Sequence, residues 1–304
     1  MANWRTEFRK KLRPRVSASD FDDLEHNFEW DRSFKIAENL EIRYIPFSGW
    51  MEVYDKKEIR PFDVNVRSYR VQRKLHYDSV ADAVRLMLKY VTGRTLLAAL
   101  GDQGETVRVF PYFDWGKDNF NATASKNDPA DGTWAGEPQR DSDGHPVKNG
   151  FTGTGVGSDA TVRISTFMWG EHGTSGKKHP GSTADEVLFH ELVHAYRYMD
   201  GAGDRRKVTA GYQNEEEFMA VVVTNIYLSE KKQLILRGDH GHGARSMSSS
   251  QFLDNVQNIN PPPRQILDRF KSRQPRFYRD LAAIRGHIAP FNPIRVHRHE
   301  AGFI

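Results

Sequence analysis

The chain has 304 residues, enough for one large domain or two modest ones with a buried core. With 38% hydrophobic and 28% charged residues and no apolar run of about 18, it reads as a globular protein without a membrane span. A net charge of +4 is mild and comes with no aromatic-plus-basic motif, so nucleic acid is not the expected partner; the absence of cysteine excludes disulfides, thiolate catalysis and Cys-ligated zinc, leaving His, Asp and Glu to hold any metal.

The first fifteen residues are basic and lack an apolar stretch after the charges, which reads as a basic arm and not as a classical secretory signal. Asp63–Val66 has the character of a short strand. In residues 78–91 the apolar positions Val80, Ala83, Val84, Met87, Leu88 and Val91 recur in steps of three and four, predicting an amphipathic helix capped by Asp78 or Ser79 and stopped at Gly93. Val107–Phe110 reads as a strand. Residues 114–159, dense in Gly, Asp, Asn, Pro and Ser, read as a long irregular loop. Its GTGVGSDA end lacks the Lys-Ser/Thr of a phosphate-binding loop and reads as a turn into a strand at 160–166, with Val162 and Ile164 on one face and Thr161, Arg163 and Ser165 on the other. A Gly/His/Lys-rich loop follows to Gly181.

Residues 186–201 read EVLFHELVHAYRYMDG. Thr183 and Glu186 have capping-box spacing, and Gly201 suits a stop after Met199, which predicts a helix from about 183 to 199. At 100° per residue, His190 and His194 lie about 40° apart on one face and Glu191 about 60° beyond His194. Two imidazoles at that spacing suit one Zn²⁺, and the neighbouring carboxylate suits a general base acting on a water whose pKa zinc lowers from about 15.7 towards about 7. Without a metal, two imidazoles and a carboxylate in an apolar helix are costly to bury.

A catalytic zinc needs a third protein ligand. Asp200 is one candidate by spacing. A second helix, NEEEFMAVVVTNIYLSE from Asn214, is apolar on every face and must be buried, and Glu215, Glu216 and Glu217 all enter at its first turn. Glu217 shares a face with the small residues Ala220, Val221 and Thr224, yet it is equally placed to bond back to the Asn214 amide, and the other two suit the helix dipole. Beyond this helix, residues 237–250 read as a polar loop, 251–257 and 263–286 as helices, and the last residues as irregular. Loop histidines near the motif, His172 and His179 before it and His240 and His242 after it, are candidate transition-state stabilisers, with His240 favoured by its short connection to the second helix.

HELVHA followed by a buried helix with an acidic start resembles the gluzincin metallopeptidases, and Asn214–Ala220 resembles the NExEFxA segment of anthrax lethal factor. That resemblance implies Glu217 as the third zinc ligand and Tyr212, at a spacing two residues shorter, as the nearest equivalent of a tyrosine that stabilises the tetrahedral intermediate. Residues 150–240 also resemble the NleD-type bacterial effector metallopeptidases. The implied fold is α+β and zincin-like, a small mixed sheet packed on the HExxH helix with a mainly helical C-terminal half, and an edge strand at 160–166 beside the zinc to bind substrate. The expected organisation is an N-terminal region, 1–110, and a zinc metallopeptidase domain, 111–304. The expected activity is that of a secreted effector or toxin hydrolysing peptide bonds in target-cell proteins: one Zn²⁺ per chain held by His190, His194 and Glu217; Glu191, Tyr212 and His240 catalytic; and a secretion-system carrier or immunity protein as further partners. It would be delivered without a classical signal peptide and act in a recipient cell, or otherwise be cytoplasmic. The rival readings are a zinc-binding interaction module without proteolytic activity and a nucleic-acid-binding protein.

Overall fold

The computed structural model describes residues 34–43, 66–111, 122–126, 152–153, 155, 157–164, 179–240 and 244–302. Its centre is a five-stranded mixed sheet in the order β1-β2-β3-β5-β4. β1 (Phe34–Ala37) and β2 (Leu40–Ile42) form an antiparallel pair. β3 (Val107–Pro111) runs parallel to both β2 and β5 (Ala160–Ile164), and β4 (Ala122–Lys126) closes the order antiparallel to β5. Leu40, Ile42, Val107, Val109, Val162 and Ile164 alternate with more polar residues and are fully buried, so period-two patterning specifies which face meets the core.

Four helices form a bundle that meets this sheet through the third: α1 (Val66–Leu88), α2 (Val91–Gly101), α3 (Ala184–Met199) and α4 (Glu215–Glu230). α3 lies on β4 and β5 and packs against α1, α2 and α4. It begins as expected: the Glu186 carboxylate accepts from the Thr183 amide at 3.2 Å, closing the capping box. The antiparallel α3–α4 pair is joined at both ends. At one end the Phe189 and Tyr227 rings stack with centroids 4.5 Å apart, a contact worth about 0.5–1.5 kcal/mol beyond their burial. Beside them the Tyr227 hydroxyl donates to Asp185 at 2.8 Å, and Lys231 reaches Asp185 and Glu186 at 2.7 and 2.6 Å. Two short hairpins, β6 (Lys207–Val208) with β7 (Gln213–Asn214) and β8 (Leu236–Arg237) with β9 (Ala244–Arg245), flank α4. The chain ends in α5 (Ser249–Leu253), α6 (Pro263–Arg273), α7 (Pro275–Ala282) and α8 (Pro293–Glu300). None of the described helices is long and apolar enough to cross a membrane.

The architecture is the expected α+β one, but several elements differ from the sequence reading. The helix expected at 78–91 starts at Val66, so Asp78 and Ser79 lie inside it, and Gly93 sits within α2. Gly93 marks a close approach: a Cβ there would lie 2.1 Å from the Met87 carbonyl oxygen. The polar stretch 114–159 contains β4, and it is β4 that ends the sheet. β5 lies between β3 and β4, so 160–166 is not the edge strand. The helix expected at 263–286 divides at Gln274, because Pro275 has no amide to continue the ladder and suits the first position of a new helix. The tail expected to be irregular forms α8, its Asn292 cap accepting from the Arg295 amide at 3.0 Å. The expected basic arm, all of the 63–66 strand except Val66 (which is helical), His172 and His242 lie outside the described residues.

Candidate metal centre

α3 is buried along nearly its whole length, and its capped start fixes the phase in which it presents His190 and His194. Both rings are 5% exposed, and their Nε2 atoms face each other at 3.3 Å. α4 runs antiparallel beside them and presents its first turn. Asn214 caps that turn by accepting from the Glu217 amide at 2.9 Å, but the expected return bond from Glu217 to the Asn214 amide is not made: that amide donates to the Tyr212 carbonyl at 2.9 Å, and the carboxylate points to the histidines. Glu217 Oε2 lies 3.4 Å from His190 Nε2 and 3.3 Å from His194 Nε2. One donor atom from each of the three residues thus falls within 4.8 Å of the other two.

The other two glutamates of that turn point elsewhere, as the 100° step between helix neighbours requires. Glu215 pairs with Arg269 at 3.0 Å. Glu216 is 2% exposed, receives Arg197 Nε at 2.9 Å and the Asp204 amide at 3.0 Å, and places Oε1 3.2 Å from His194 Nδ1. A carboxylate behind His194 can accept from Nδ1 and fix the ring with Nε2 facing the cluster, the arrangement that orients histidines toward metals. The sequence offers Glu216 as one of three candidate ligands or as a dipole complement; its contact behind His194 is neither, and no local signal points to it.

Burial dominates the electrostatics. It lowers the His190 pKa to about 3, assisted by the nearby Arg237 charge, so that ring is neutral. Burial works against charge on His194 too, but Glu217 and Glu216 outweigh it and raise that ring well above the ordinary histidine value. Burial likewise disfavours the Glu217 carboxylate, yet His194 and His190 outweigh it and hold the group far below the usual range. An ionised Glu217 thus lies between the two rings and an ionised Glu216 behind His194, an environment that favours positive charge there.

Glu191, the proposed base, is 8% exposed and close enough to Arg237 to offset part of its charge. His240, just after β8, reaches the cluster: its Nε2 is 3.4 Å from Glu217 Oε2, and its ring stacks on His190 with centroids 6.4 Å apart. Tyr212 is 1% exposed with its ring against Phe218, and it is not among the groups that converge. His179 bonds locally, Nδ1 lying 3.2 Å from the Pro180 carbonyl, and Asp200 caps α3 and accepts from Gln274 at 2.8 Å; neither belongs to the cluster. Arg237, which carries no motif in the sequence, is 5% exposed and lies 3.0 Å from His190 Nδ1.

Two buried imidazoles and one carboxylate converging on a point, with a second carboxylate one residue along the helix, form a nitrogen–oxygen donor set suited to a divalent cation and to acid–base chemistry beside it. Residues 67–234, more than half of the chain, match the family model Peptidase_M91, described as effector protein. Among curated proteins, none matches the chain.

Proposed function

The chain belongs to the Peptidase_M91 effector family, the NleD-type effector peptidases, and from that premise we propose that it is a zinc-dependent endopeptidase in which His190, His194 and Glu217 hold the metal. The observation that carries this reading is the convergence of those three donor atoms. Their chemistry fits a zinc ion: Glu217 Oε2 is buried with no hydrogen-bond partner, although three ring nitrogens lie within 3.3–3.4 Å of it. Three ring nitrogens crowded on one carboxylate oxygen form a nitrogen–oxygen donor set that a single divalent cation would satisfy.

When bound there, zinc supplies Lewis acidity that makes hydroxide available near neutral pH and polarises a substrate carbonyl. Glu191 accepts the proton of the attacking water and returns it to the leaving amine. Glu216 holds the His194 ring in register. His240, a third exposed at the rim, donates to the carbonyl oxygen as negative charge develops there, and we assign this role to it over the buried Tyr212. β4 packs on α3 and ends the sheet order of the described residues, so its free edge suits an extended substrate segment pairing main chain to main chain. Membership of an effector family supports a protein substrate in a recipient cell and delivery with a secretion-system carrier or an immunity partner.

Glu191→Gln tests the reading. The variant should keep one zinc per chain by metal analysis while releasing none of the new N-termini that the wild type generates in a recipient-cell proteome. Wild-type protein that takes up no zinc would remove the metal assignment, and an active Glu191→Gln variant would remove the base.

A further inference from the structure

The two metal-facing rings have opposite partners at their backs. Behind His194 stands a carboxylate, Glu216. Behind His190 stand the Arg237 guanidinium, with Nη1 3.0 Å from Nδ1, and the Thr224 hydroxyl, 3.4 Å from the same atom. An arginine can only donate, so its contact at 3.0 Å is favourable only when Nδ1 carries a lone pair. In a neutral imidazole the proton then sits on Nε2, the nitrogen aimed at Glu217 and His194. That tautomer offers no lone pair to a cation.

Arg237 is held where it makes this contact. Its backbone amide donates to Asn225 Oδ1 at 2.9 Å, and its carbonyl accepts from Asn225 Nδ2 at 2.8 Å, pinning β8 to α4. Its stem passes over Gly181, where a Cβ would lie 2.6 Å from Arg237 Cδ. The head is held by neutral acceptors: Nη2 reaches the His240 carbonyl at 3.3 Å, Nε is buried with no hydrogen-bond partner, and the carboxylates of Glu217, Glu191 and Asp239 act on its charge through space. A buried guanidinium whose hydrogen bonds go to a ring nitrogen and a carbonyl exchanges partners in a way that Arg197, clamped by Glu216, does not.

We propose that Arg237 competes with the metal ion for His190. Bound to Nδ1, it selects the ring tautomer that cannot ligate through Nε2. Loading requires the guanidinium to leave Nδ1 and the ring proton to shift from Nε2 to Nδ1 through solvent, where Nδ1–H then donates a hydrogen bond to Thr224 Oγ1. Arg237 is therefore a positioning residue that sets how tightly and how fast the site loads. This inference rests on the metal reading of His190, His194 and Glu217.

The test is zinc affinity, measured by competition with a chromophoric chelator on the full chain, for wild type, Arg237→Met, Arg237→Lys and Thr224→Val. A hydrogen bond involving a charged group is worth about 1.5–3 kcal/mol, so losing the competitor should tighten binding by about ten- to a hundredfold in Arg237→Met. Arg237→Lys, which keeps a donor and a charge, should fall between that variant and wild type, and Thr224→Val should bind more weakly than wild type. An Arg237→Met affinity equal to or weaker than wild type would overturn the proposal. A second readout needs no variant: nitrogen-15 shifts of the wild-type histidines should place the His190 proton on Nε2 in chelator-treated protein and on Nδ1 after zinc is added. A proton on Nδ1 before loading would equally overturn it. If wild-type protein binds no zinc, the metal assignment itself fails; if it binds one zinc per chain and the Arg237→Met affinity does not rise, only the competition fails.

Discussion

The Glu216–Arg197 pair is the point where stability and the candidate site depend on the same atoms. Arg197 is 4% exposed; its Nε lies 3.0 and 2.9 Å from the two Glu216 oxygens, Nη1 donates to Gln274 Oε1 at 2.8 Å and Nη2 to the Ala202 carbonyl at 2.9 Å. In Glu216→Ala the guanidinium keeps its neutral acceptors and loses its counter-charge. Removing one partner of a buried ion pair costs about 3–5 kcal/mol, and the Asp204 amide loses its acceptor as well. At roughly 2–4 °C per kcal/mol for a chain of this size, the melting temperature should fall by on the order of 10 °C. Calorimetry should be run on chelator-treated protein, so that metal binding to the native state does not add to the difference. The double variant Glu216→Leu/Arg197→Met removes both charges and should recover most of the loss, because an apolar pair of similar volume replaces a buried ionic one at little net cost. A fall of less than about 1 kcal/mol in the single variant, or a double variant as unstable as the two singles summed, would refute the claim that the pair is a charge-compensated unit.

Two further outcomes follow from buried polar groups away from the site. His76 is 3% exposed, with Nε2 3.2 Å from the Val109 carbonyl, and burial lowers its pKa to about 4. The unfolded ring binds a proton below about 6.5 and the folded ring only below about 4, so native stability falls as pH drops through that window, by about 3 kcal/mol in all. Urea midpoints between pH 7 and pH 4 should therefore decline less steeply in His76→Gln than in wild type, and parallel slopes would show that His76 contributes nothing to the acid sensitivity. Glu230, at the far end of α4, accepts from the Val91 amide at 2.6 Å, the Thr92 amide at 2.8 Å and the Thr92 hydroxyl at 2.7 Å, capping α2 from another helix. Glu230→Ala should cost about 1–3 kcal/mol and speed hydrogen exchange at the start of α2, with unchanged exchange counting against the cap.

What could be read from the chain was whatever depends on neighbours a few residues away. His190 and His194 share a face because the helix repeat puts them there, the capping box at Thr183 sets that helix's phase, and Val162 and Ile164 share a buried face by strand alternation. What could not be read depends on which element packs where. β4 escaped notice because ATASK, at the end of a sheet order, carries no apolar alternation; its pairing comes from β5 and its support from α3. Gly93 looked like a stop, and its real cause is a Met87 carbonyl that leaves no room for a Cβ. The three glutamates opening α4 are the clearest case. An all-apolar helix gives no preferred face, so nothing local distinguishes the one aimed at the histidines from the one behind them or the one paired with Arg269. The packing of α3 makes that choice, and the same packing brings Arg237 behind His190 from a hairpin more than forty residues away. The histidine pair is thus local to one helix, whereas the choice of its carboxylate partner and the charges that tune it, a carboxylate behind one ring and a guanidinium behind the other, exist only once the fold is complete. Substitutions at Glu216 and Arg237 should for that reason alter metal affinity in opposite directions while leaving the HExxH sequence untouched.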